Sequence, residues 1–231
     1  TGDKGSYVPS VSVRYGQNLG TIVNDIDEPT RLGYQFIGWS LTNNGEVIDG
    51  NVNMPANQTS LYAVWRENTN ASYTVVYMLE SLTGGYDYIT SKTGIGQVGD
   101  IIPTTGSLSI TNDDWNNANI DPNGVERDTT KDEDVTITSD GQAVKTVYYN
   151  RKTFHVNFYL YVRNGFLGGQ WQKQDNLTIS AKYGEDVSSI WTDDAHSEYM
   201  WYTGRDQQTG VGAMSAMPAY DINRYGEESN T

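Results

Sequence analysis

One short unit recurs along this chain, and it constrains the fold more than any other feature. Residues 15–23 and 183–191 align without a gap, and both begin with Tyr-Gly after a basic residue. A third copy is predicted at 96–102. In each copy three apolar residues are spaced i, i+3, i+4, which predicts one face of a short helix. These faces are Leu19, Ile22 and Val23; Val98, Ile101 and Ile102; and Val187, Ile190 and Trp191. Isolated helices of this length are unstable in water, so each is expected to pack on a sheet.

Strand patterns flank each predicted helix. Apolar residues alternate with polar ones before the helix at 11–15, 88–92 and 177–183, and closing strands are predicted at 61–65, 144–149 and 222–225. A Met-Pro-Ala tripeptide precedes the first and last closing strands, and an Asp-Gly turn at 139–142 precedes the middle one. Alternation with period two is typical of half-buried strands, and Asp-Gly is a favoured hairpin turn.

A further strand opens the middle and last copies. Apolar residues alternate along 73–79 and along 154–162. The first copy has no such pattern, because residues 1–10 are polar and rich in glycine, so we expect the chain to begin inside its first repeat. The seams between copies are short and polar. The sequence therefore predicts three modules, at 1–66, 71–150 and 152–231.

The first module also carries a recognisable motif. The segment 33–40 (Gly-Tyr-Gln-Phe-Ile-Gly-Trp-Ser), followed by Met-Pro-Ala-Asn at 54–57 and Leu-Tyr-Ala-Val-Trp at 61–65, resembles the Listeria–Bacteroides repeat. That repeat is the internalin-B B-repeat type of module in bacterial surface proteins. The middle module, at 73–80 and 147–150, resembles related B-repeat and mucin-binding-protein-type modules. The last module is more divergent, because Tyr-Met-Trp-Tyr at 199–202 replaces the Gly-Trp element and the final Trp is missing.

The resemblance implies a fold and a setting. It implies small β-grasp (ubiquitin-like) modules, each a twisted sheet with one short helix, strung in tandem on secreted, cell-wall-associated proteins of the bacterial cell surface. It implies no catalytic residues and no cofactor. Trp39 and Trp65 are expected in the core. The residues that carry the repeated motif, and are therefore expected to be structural, are Tyr15, Gly16, Gly33, Gly38, Trp39, Met54, Pro55, Trp65, Tyr183, Gly184, Met217 and Pro218.

Composition agrees with a β-rich α+β protein and excludes several classes of function. The chain has 17 Tyr, 6 Trp and 24 Gly among 231 residues, typical of many short strands and turns. With 29 acidic and 15 basic residues the net charge is -14, which argues against nucleic acid and anionic membranes as partners. The absence of cysteine excludes disulfides, thiolate nucleophiles and cysteine metal sites. No apolar run is long enough for membrane insertion, and a monomer is expected.

Two sequence motifs mimic ligand sites. Gly94–Gly99 has the spacing Gly-x-Gly-x-x-Gly, but Pro103 ends any helix that a dinucleotide site would need. Asn119–Gly124 mimics the first half of a calcium loop, although Thr130 stands where a bidentate Glu belongs. The simpler interpretation is a solvated loop whose Asn, Asp and Gly residues form turns. We therefore predict neither a cofactor nor a metal.

Few residues point to catalysis. His155 alternates with apolar neighbours and is expected on the outer face of a strand, whereas His196 is expected in a loop. Two distant histidines without cysteine do not make a zinc site, and no nucleophile-elbow motif is present. Paired carboxylates for glycoside hydrolysis are defined by their distance in space and stay open at this stage. Because small repeated modules offer no deep cleft, we expect no enzyme.

Aromatic residues provide the best hypothesis for binding. Five cluster in the last module: Trp171, Trp191, Tyr199, Trp201 and Tyr202. They fill a small core, or they form a surface for a glycan or a host protein. The sequence thus predicts a non-catalytic stalk of tandem repeats that presents an adhesin and contacts neighbouring repeats. The alternative is a ligand-binding adhesin that uses the aromatic cluster.

Overall fold

A computed structural model describes residues 5–58, 60–207 and 214–228. Within this part the chain forms eleven strands and three α-helices, together with short 3-10 turns. The α-helices are α1 (Leu19–Ile22), α2 (Asn112–Asn117) and α3 (Asp194–Ser197). The longest has six residues, and no helix in the described part is long and apolar enough to cross a membrane. The predicted β-rich α+β class is confirmed.

The eleven strands include those predicted to open and to close the copies. They are β1 (Tyr34–Ser40), β2 (Tyr62–Glu67), β3 (Asn70–Glu80), β4 (Tyr86–Gln97), β5 (Val125–Arg127), β6 (Ala143–Arg151), β7 (Thr153–Arg163), β8 (Gly169–Lys173), β9 (Ile179–Lys182), β10 (Tyr199–Tyr202) and β11 (Ile222–Glu228). The opening strands predicted in the middle and last copies are β3 and β7. The three predicted closing strands are β2, β6 and β11.

These strands form three sheets. β1 and β2 pair antiparallel, and a four-stranded sheet has the order β4-β3-β6-β5. The third sheet has the order β10-β11-β7-β8, with β9 pairing with β7 as well. β11 runs antiparallel to β10 but parallel to β7, where Ile222 lies opposite Val156. The first and last strands of the last segment are therefore neighbours in the middle of their sheet.

The predicted strand at 11–15 is not formed, because residues 6–14 have no strand hydrogen bonding in the described structure. The equivalent segment of the last copy is β9, which exists by pairing antiparallel with the opening strand β7. The first copy has no opening strand among its described residues. Alternating apolar residues alone do not make a strand when the partner backbone is missing.

The predicted middle helix is also wrong. Residues 94–97 belong to β4, and Gly99 forms a turn with φ +94°. A Cβ atom on Gly94 would lie 2.7 Å from the Tyr73 ring, and one on Gly96 would lie 2.6 Å from Ile137 Cδ1. These glycines therefore leave room for the side chains of Tyr73 and Ile137, which explains the glycine spacing without a dinucleotide.

The middle copy has a different helix. Thr111 caps α2 by accepting from the Asp114 N–H, while the Asp114 carboxylate accepts from the Thr111 N–H. This reciprocal arrangement is a capping box, with Asp in place of the usual Glu or Gln. In the first copy the predicted helix is confirmed as α1. In the last copy the predicted residues form a 3-10 helix, Ser188–Thr192.

The chain divides into two compact units. The first comprises 1–75, 92–108 and 133–145, and the second comprises 76–91, 109–132 and 146–231. Buried side chains in the first unit include Leu19, Ile48, Tyr73, Val75, Ile102 and Ile137. In the second unit one cluster contains Val156, Phe158, Leu177, Val187, Trp201 and Met217, and another contains Leu79, Trp115 and Val125. The three sequence modules remain a prediction.

Candidate functional site

The Tyr-Gly corner of the first copy is tied to the Met-Pro loop by three backbone hydrogen bonds. The Gly16 N–H donates to the Met54 carbonyl at 3.1 Å, and the Met54 N–H donates to the Gln17 carbonyl at 2.7 Å. The Leu19 N–H completes the set with the Val52 carbonyl at 2.6 Å. Gly16 has φ +77°, a conformation that glycine adopts without steric cost. We call this arrangement the corner ladder.

The corner ladder occurs in all three copies. In the last copy its bonds run from Gly184 N to Met217 O (2.7 Å), Met217 N to Glu185 O (2.9 Å) and Val187 N to Ser215 O (3.0 Å). In the middle copy they run from Gly99 N to Ile137 O (2.9 Å), Ile137 N to Asp100 O (2.8 Å) and Ile102 N to Val135 O (2.8 Å). Each copy thus repeats the same three bonds at the same sequence offsets.

The ladder corrects the alignment of the middle copy. The predicted alignment placed residue 95 opposite Gly16. The hydrogen bonds show instead that Gly99 is the counterpart of Gly16 and Gly184. Ile102 consequently takes the place of Leu19, and both are buried. The apolar spacing fits only the wrong offset, because Thr105 and Gly106 follow Ile102 where Ile22 and Val23 follow Leu19. A glycine three residues before an apolar residue, as in Gly16 and Leu19, was the sequence signal that could have found Gly99.

The Gly-Trp element of the first copy forms a bulge. The pairing register between β1 and β2 shifts by one residue between Phe36 and Gly38, and Gly38 has φ +154°. A Cβ atom there would lie 2.4 Å from Val47 Cγ1, so the chain needs glycine at this position. Phe36 makes edge contacts with Trp39 at 5.3 Å and with Trp65 at 5.6 Å between ring centroids. Both tryptophans, expected in the core, are only half-buried.

The two Tyr-Gly corners differ in their surroundings. In the second unit, the Tyr183 ring packs on Gly124, where a Cβ atom would lie 2.4 Å from Tyr183 Cγ. The Tyr183 hydroxyl accepts from the Asp121 N–H at 2.8 Å. The backbone N–H of Tyr183 donates to the Lys152 carbonyl at 2.9 Å. Tyr15, the counterpart in the first copy, is 80% exposed. Tyr183 therefore joins segments of the predicted middle and last modules.

An ionic network accompanies this junction. The Arg151 side chain donates to the carbonyl oxygens of Glu80 (2.9 Å) and Tyr183 (2.9 Å), and the Arg151 N–H donates to the Glu80 carboxylate at 3.0 Å. Lys182 forms a salt bridge with the same carboxylate. Burial by itself raises the pKa of Glu80, but the bonds from Lys182 and Arg151 outweigh it and hold this pKa below its ordinary value.

The structure separates the five aromatic candidates of the last module. Trp201 is 7% exposed and donates its indole N–H to the His196 carbonyl at 2.9 Å. Trp191 is half-buried, packs on Phe158 and donates to the Met214 carbonyl at 3.2 Å. Tyr199 contacts Trp201 at 5.4 Å between ring centroids. These three belong to the core side of the sheet.

Trp171 and Tyr202 lie on the opposite, outer face of that sheet. Four rings touch in sequence there: Tyr161 with Trp171 (5.5 Å), Trp171 with Tyr225 (5.2 Å) and Tyr225 stacked on Tyr159 (5.3 Å). Tyr202 lies directly opposite Tyr225 in the β10–β11 register. We call Tyr159, Tyr161, Trp171 and Tyr225 the outer aromatic strip. Sequence reasoning missed Tyr159, Tyr161 and Tyr225, although alternation with Val156 and Phe158 already placed the first two on this face.

The histidines have structural surroundings. His155 lies on the outer face as predicted, with Nδ1 3.3 Å from the Asp221 carboxylate. His196 is not in a loop but on α3, where it is buried. Its Nδ1 lies 2.7 Å from an Asp193 carboxylate oxygen and its Nε2 lies 2.9 Å from the Leu177 carbonyl. The ring therefore links α3 to the segment before β9.

The calcium-like loop forms turns. The Asp121 carboxylate caps a 3-10 helix, Pro122–Gly124, by accepting from the Asn123 N–H at 2.9 Å. Asp128 caps the next one, Thr129–Lys131, through the Thr130 N–H at 3.1 Å. No group of three or more His, Asp or Glu residues in the described part of the chain is arranged to hold a metal ion.

The corner ladder of the first copy and the Gly-Trp bulge lie in a segment that matches a known family. Residues 1–64 match the family model of the Listeria-Bacteroides repeat domain. The resemblance noted in the sequence is therefore confirmed for this segment. No curated protein matches the chain. Listeria-Bacteroides repeats occur in bacterial surface proteins and are typically non-catalytic.

The two Tyr-Gly corners allow a matched test of the junction. Tyr183→Ala removes the ring from Gly124 and the acceptor from the Asp121 N–H, and is expected to cost about 2 kcal/mol of unfolding free energy. Tyr15→Ala, at the equivalent exposed position of a Listeria-Bacteroides repeat, is expected to change it by less than about 0.5 kcal/mol. Chemical denaturation of both variants measures this difference. Equal effects would contradict a role for Tyr183 in the junction.

The Glu80 network predicts a pH dependence. Because the pKa of Glu80 is lower in the folded chain than in the unfolded chain, its contribution is fully present above the ordinary glutamate value of about 4.3 and is lost as pH falls through the folded value. Glu80→Gln should therefore lower stability at neutral pH and flatten its acid dependence. Denaturation midpoints measured between about pH 7 and pH 3 test this, with exposed Glu126→Gln as the control. An unchanged acid slope in Glu80→Gln would refute the assignment.

Proposed function

We propose that this chain is a non-catalytic segment of a bacterial cell-surface protein, with tandem modules at 1–66, 71–150 and 152–231 that space or present an adhesive region. The observation that carries the proposal is the corner ladder, repeated three times with the same bonds. The match of residues 1–64 to the Listeria-Bacteroides repeat supports the surface setting. The parent protein would be exported and associated with the cell wall.

We propose a β-grasp topology for the modules. Support comes from the last segment, in which β7 and β11 are parallel neighbours and the shorter strands flank them. The sheet order β4-β3-β6-β5 likewise places the first and last strands of the middle segment side by side. In the first segment only the β1–β2 pair of this arrangement is described.

A spacer needs junctions that resist bending, and contacts at both seams support this role. In the first unit, the Asn68 N–H donates to the Gly33 carbonyl at 2.9 Å, and Gly33 lies against Ser139 and Asp140 of the Asp-Gly turn. In the second unit, Tyr183 and the Arg151 network join the next pair of segments. Neighbour contacts of this kind make repeat arrays stable in an additive way.

The overall charge suits an exposed position. A net charge of -14 favours solubility and reduces attraction to anionic surfaces. The absence of cysteine makes the segment independent of disulfide formation outside the cell. We propose no enzyme function, because Listeria-Bacteroides repeats are typically non-catalytic.

Solution scattering tests the spacer. A compact globule of this length would have a radius of gyration of about 17 Å, whereas a row of three modules would be clearly larger, with a distance distribution skewed to long distances. The rod-like shape should persist in moderate salt, because backbone hydrogen bonds contribute to both seams. A value near that of a compact globule would refute the spacer.

A second candidate function is glycan binding by the last segment, and the outer aromatic strip favours it. Ring faces on a sheet surface suit the apolar faces of sugar rings, and the strip is flanked by amide side chains, including the hydrogen-bonded pair Asn157 and Asn223. The guanidinium carbon of Arg205 lies 5.6 Å from the Tyr225 ring centroid. A stalk with this feature would be an adhesin itself rather than a carrier of one.

Glycan-array binding of the whole fragment tests this candidate. Trp171→Ala should weaken binding at least about tenfold, or 1.4 kcal/mol, without a large fall in stability, whereas Tyr88→Ala, which removes an exposed ring elsewhere, should have no effect. Trp201→Ala should instead lower stability, because that ring is in the core. A negative array combined with capture of a host protein that depends on Trp171 would assign the strip to a protein partner and refute the glycan candidate.

A further inference from the structure

The sheet of the first segment has an unpaired edge. Among the described residues, β2 pairs only with β1, on one side. Its counterpart β11 pairs with β10 on one side and with β7 on the other. The two strands are equivalent because each follows a Met-Pro-Ala tripeptide and runs antiparallel to the strand before it. No described residue therefore fills, beside β2, the position that β7 fills beside β11.

A groove lies in the same segment. It has a volume of about 400 Å³, and its lining includes Val11, Val13, Leu19, Trp39, Met54 and Leu61. Met54 is half-buried, whereas its counterpart Met217 is 1% exposed in a core that contains two residues of β7, Val156 and Phe158. Val13 is likewise half-buried, whereas its counterpart Ala181 is buried. Two residues that line the groove, Met54 and Val13, are thus more exposed than their counterparts in the last segment.

One residue that lines the groove also has a polar group without a partner among the described residues. The indole N–H of Trp39 is shielded from solvent and has no hydrogen-bond acceptor among the described residues. The core tryptophan of the last segment, Trp201, donates its indole N–H to a backbone carbonyl. A shielded donor without an acceptor is costly, so an occupant that brings a carbonyl oxygen would be favoured.

We propose that this groove binds an extended polypeptide segment with alternating apolar side chains, which adds to the open edge of β2 as a parallel strand. The template is β7, whose alternate residues Val156 and Phe158 are fully buried. Backbone bonds to β2 would supply affinity, and apolar side chains in the groove would supply specificity. The segment 11–15, which forms no strand alone, would pair with the other edge of the bound segment, as β9 pairs with β7.

Charge defines the occupant further. The chain has 29 acidic residues against 15 basic ones, so a segment without carboxylates fits better than an acidic one. β7 itself, Thr153–Arg163, has no acidic residue and includes His155 and Arg163. The inference is independent of the surface location and the spacer role proposed above, because it rests on the groove and the strand edge alone.

Binding of a β7 peptide to the whole chain tests the proposal. The probe has the sequence of Thr153–Arg163 with a dye and a solubilising Lys-Lys tail, and the control peptide carries Ser in place of Val156, Phe158 and Leu160. Fluorescence anisotropy should show saturable binding of the probe and at least about tenfold weaker binding of the control. Trp39→Phe, which keeps the ring and removes the N–H, should weaken binding about threefold.

Hydrogen exchange locates the bound peptide. New protection of amides at 62–67 and 11–15 is the expected result. Protection at 222–228 instead would mean that the peptide displaces β7 from its own sheet, and it would overturn the proposal. Absence of binding would overturn the proposal too. Dimerisation of the chain would also overturn it if the dimer protects the amides at 62–67 without added peptide, because a second copy would then be the occupant. If Trp39→Phe does not fold, Val11→Asp provides a second variant, because Val11 lies at the exposed rim of the groove. This variant should bind the peptide at least about tenfold more weakly, because it places a charge against apolar side chains.

Discussion

The three backbone hydrogen bonds of the corner ladder are the interaction on which the rest of the structure depends. They hold an irregular turn against an irregular loop, where neither segment has regular secondary structure to satisfy its polar groups. A glycine with positive φ turns the chain in each copy, so that its N–H and that of the apolar residue three positions later point at the same loop. Buried Leu19, Ile102 and Val187 follow directly from this geometry. The ladder recurs where the surrounding sequence has changed greatly, because backbone atoms make its bonds.

A second constraint is the need of a strand for a partner. β9 and the segment 11–15 have related sequences, but only β9 forms a strand, because β7 lies beside it. The same missing partner accounts for the edge of β2 that is unpaired among the described residues, for the groove in that segment and for the partial exposure of Trp39. Four separate features of the first segment thus have one physical cause. Pairing, rather than side-chain alternation, decides whether a short segment becomes a strand.

The sheet of the last segment uses its two faces differently. On one face Phe158, Trp191 and Trp201 pack into the core with edge contacts, and buried His196 ties α3 to a backbone carbonyl beneath them. On the other face the outer aromatic strip is held by ring–ring contacts while parts of it remain accessible. Aromatic residues that are close in sequence therefore have opposite roles, because neighbours along a strand point to opposite sides.

The sequence by itself determined the β-rich class, the opening and closing strands and the recurrence of the Tyr-Gly unit, because these depend on local alternation and on residues with special backbone preferences. It also identified the Listeria-Bacteroides repeat through residues 33–40 and 61–65. Tertiary structure alone decided which glycine turns the middle copy, since the apolar spacing favours Val98 while the backbone carbonyl partners select Ile102. It also decided that Tyr183 is packed while Tyr15 is exposed, and that Trp171 and Trp201 lie on opposite faces. Those outcomes depend on contacts between segments far apart in the chain, and such contacts leave no local pattern to find.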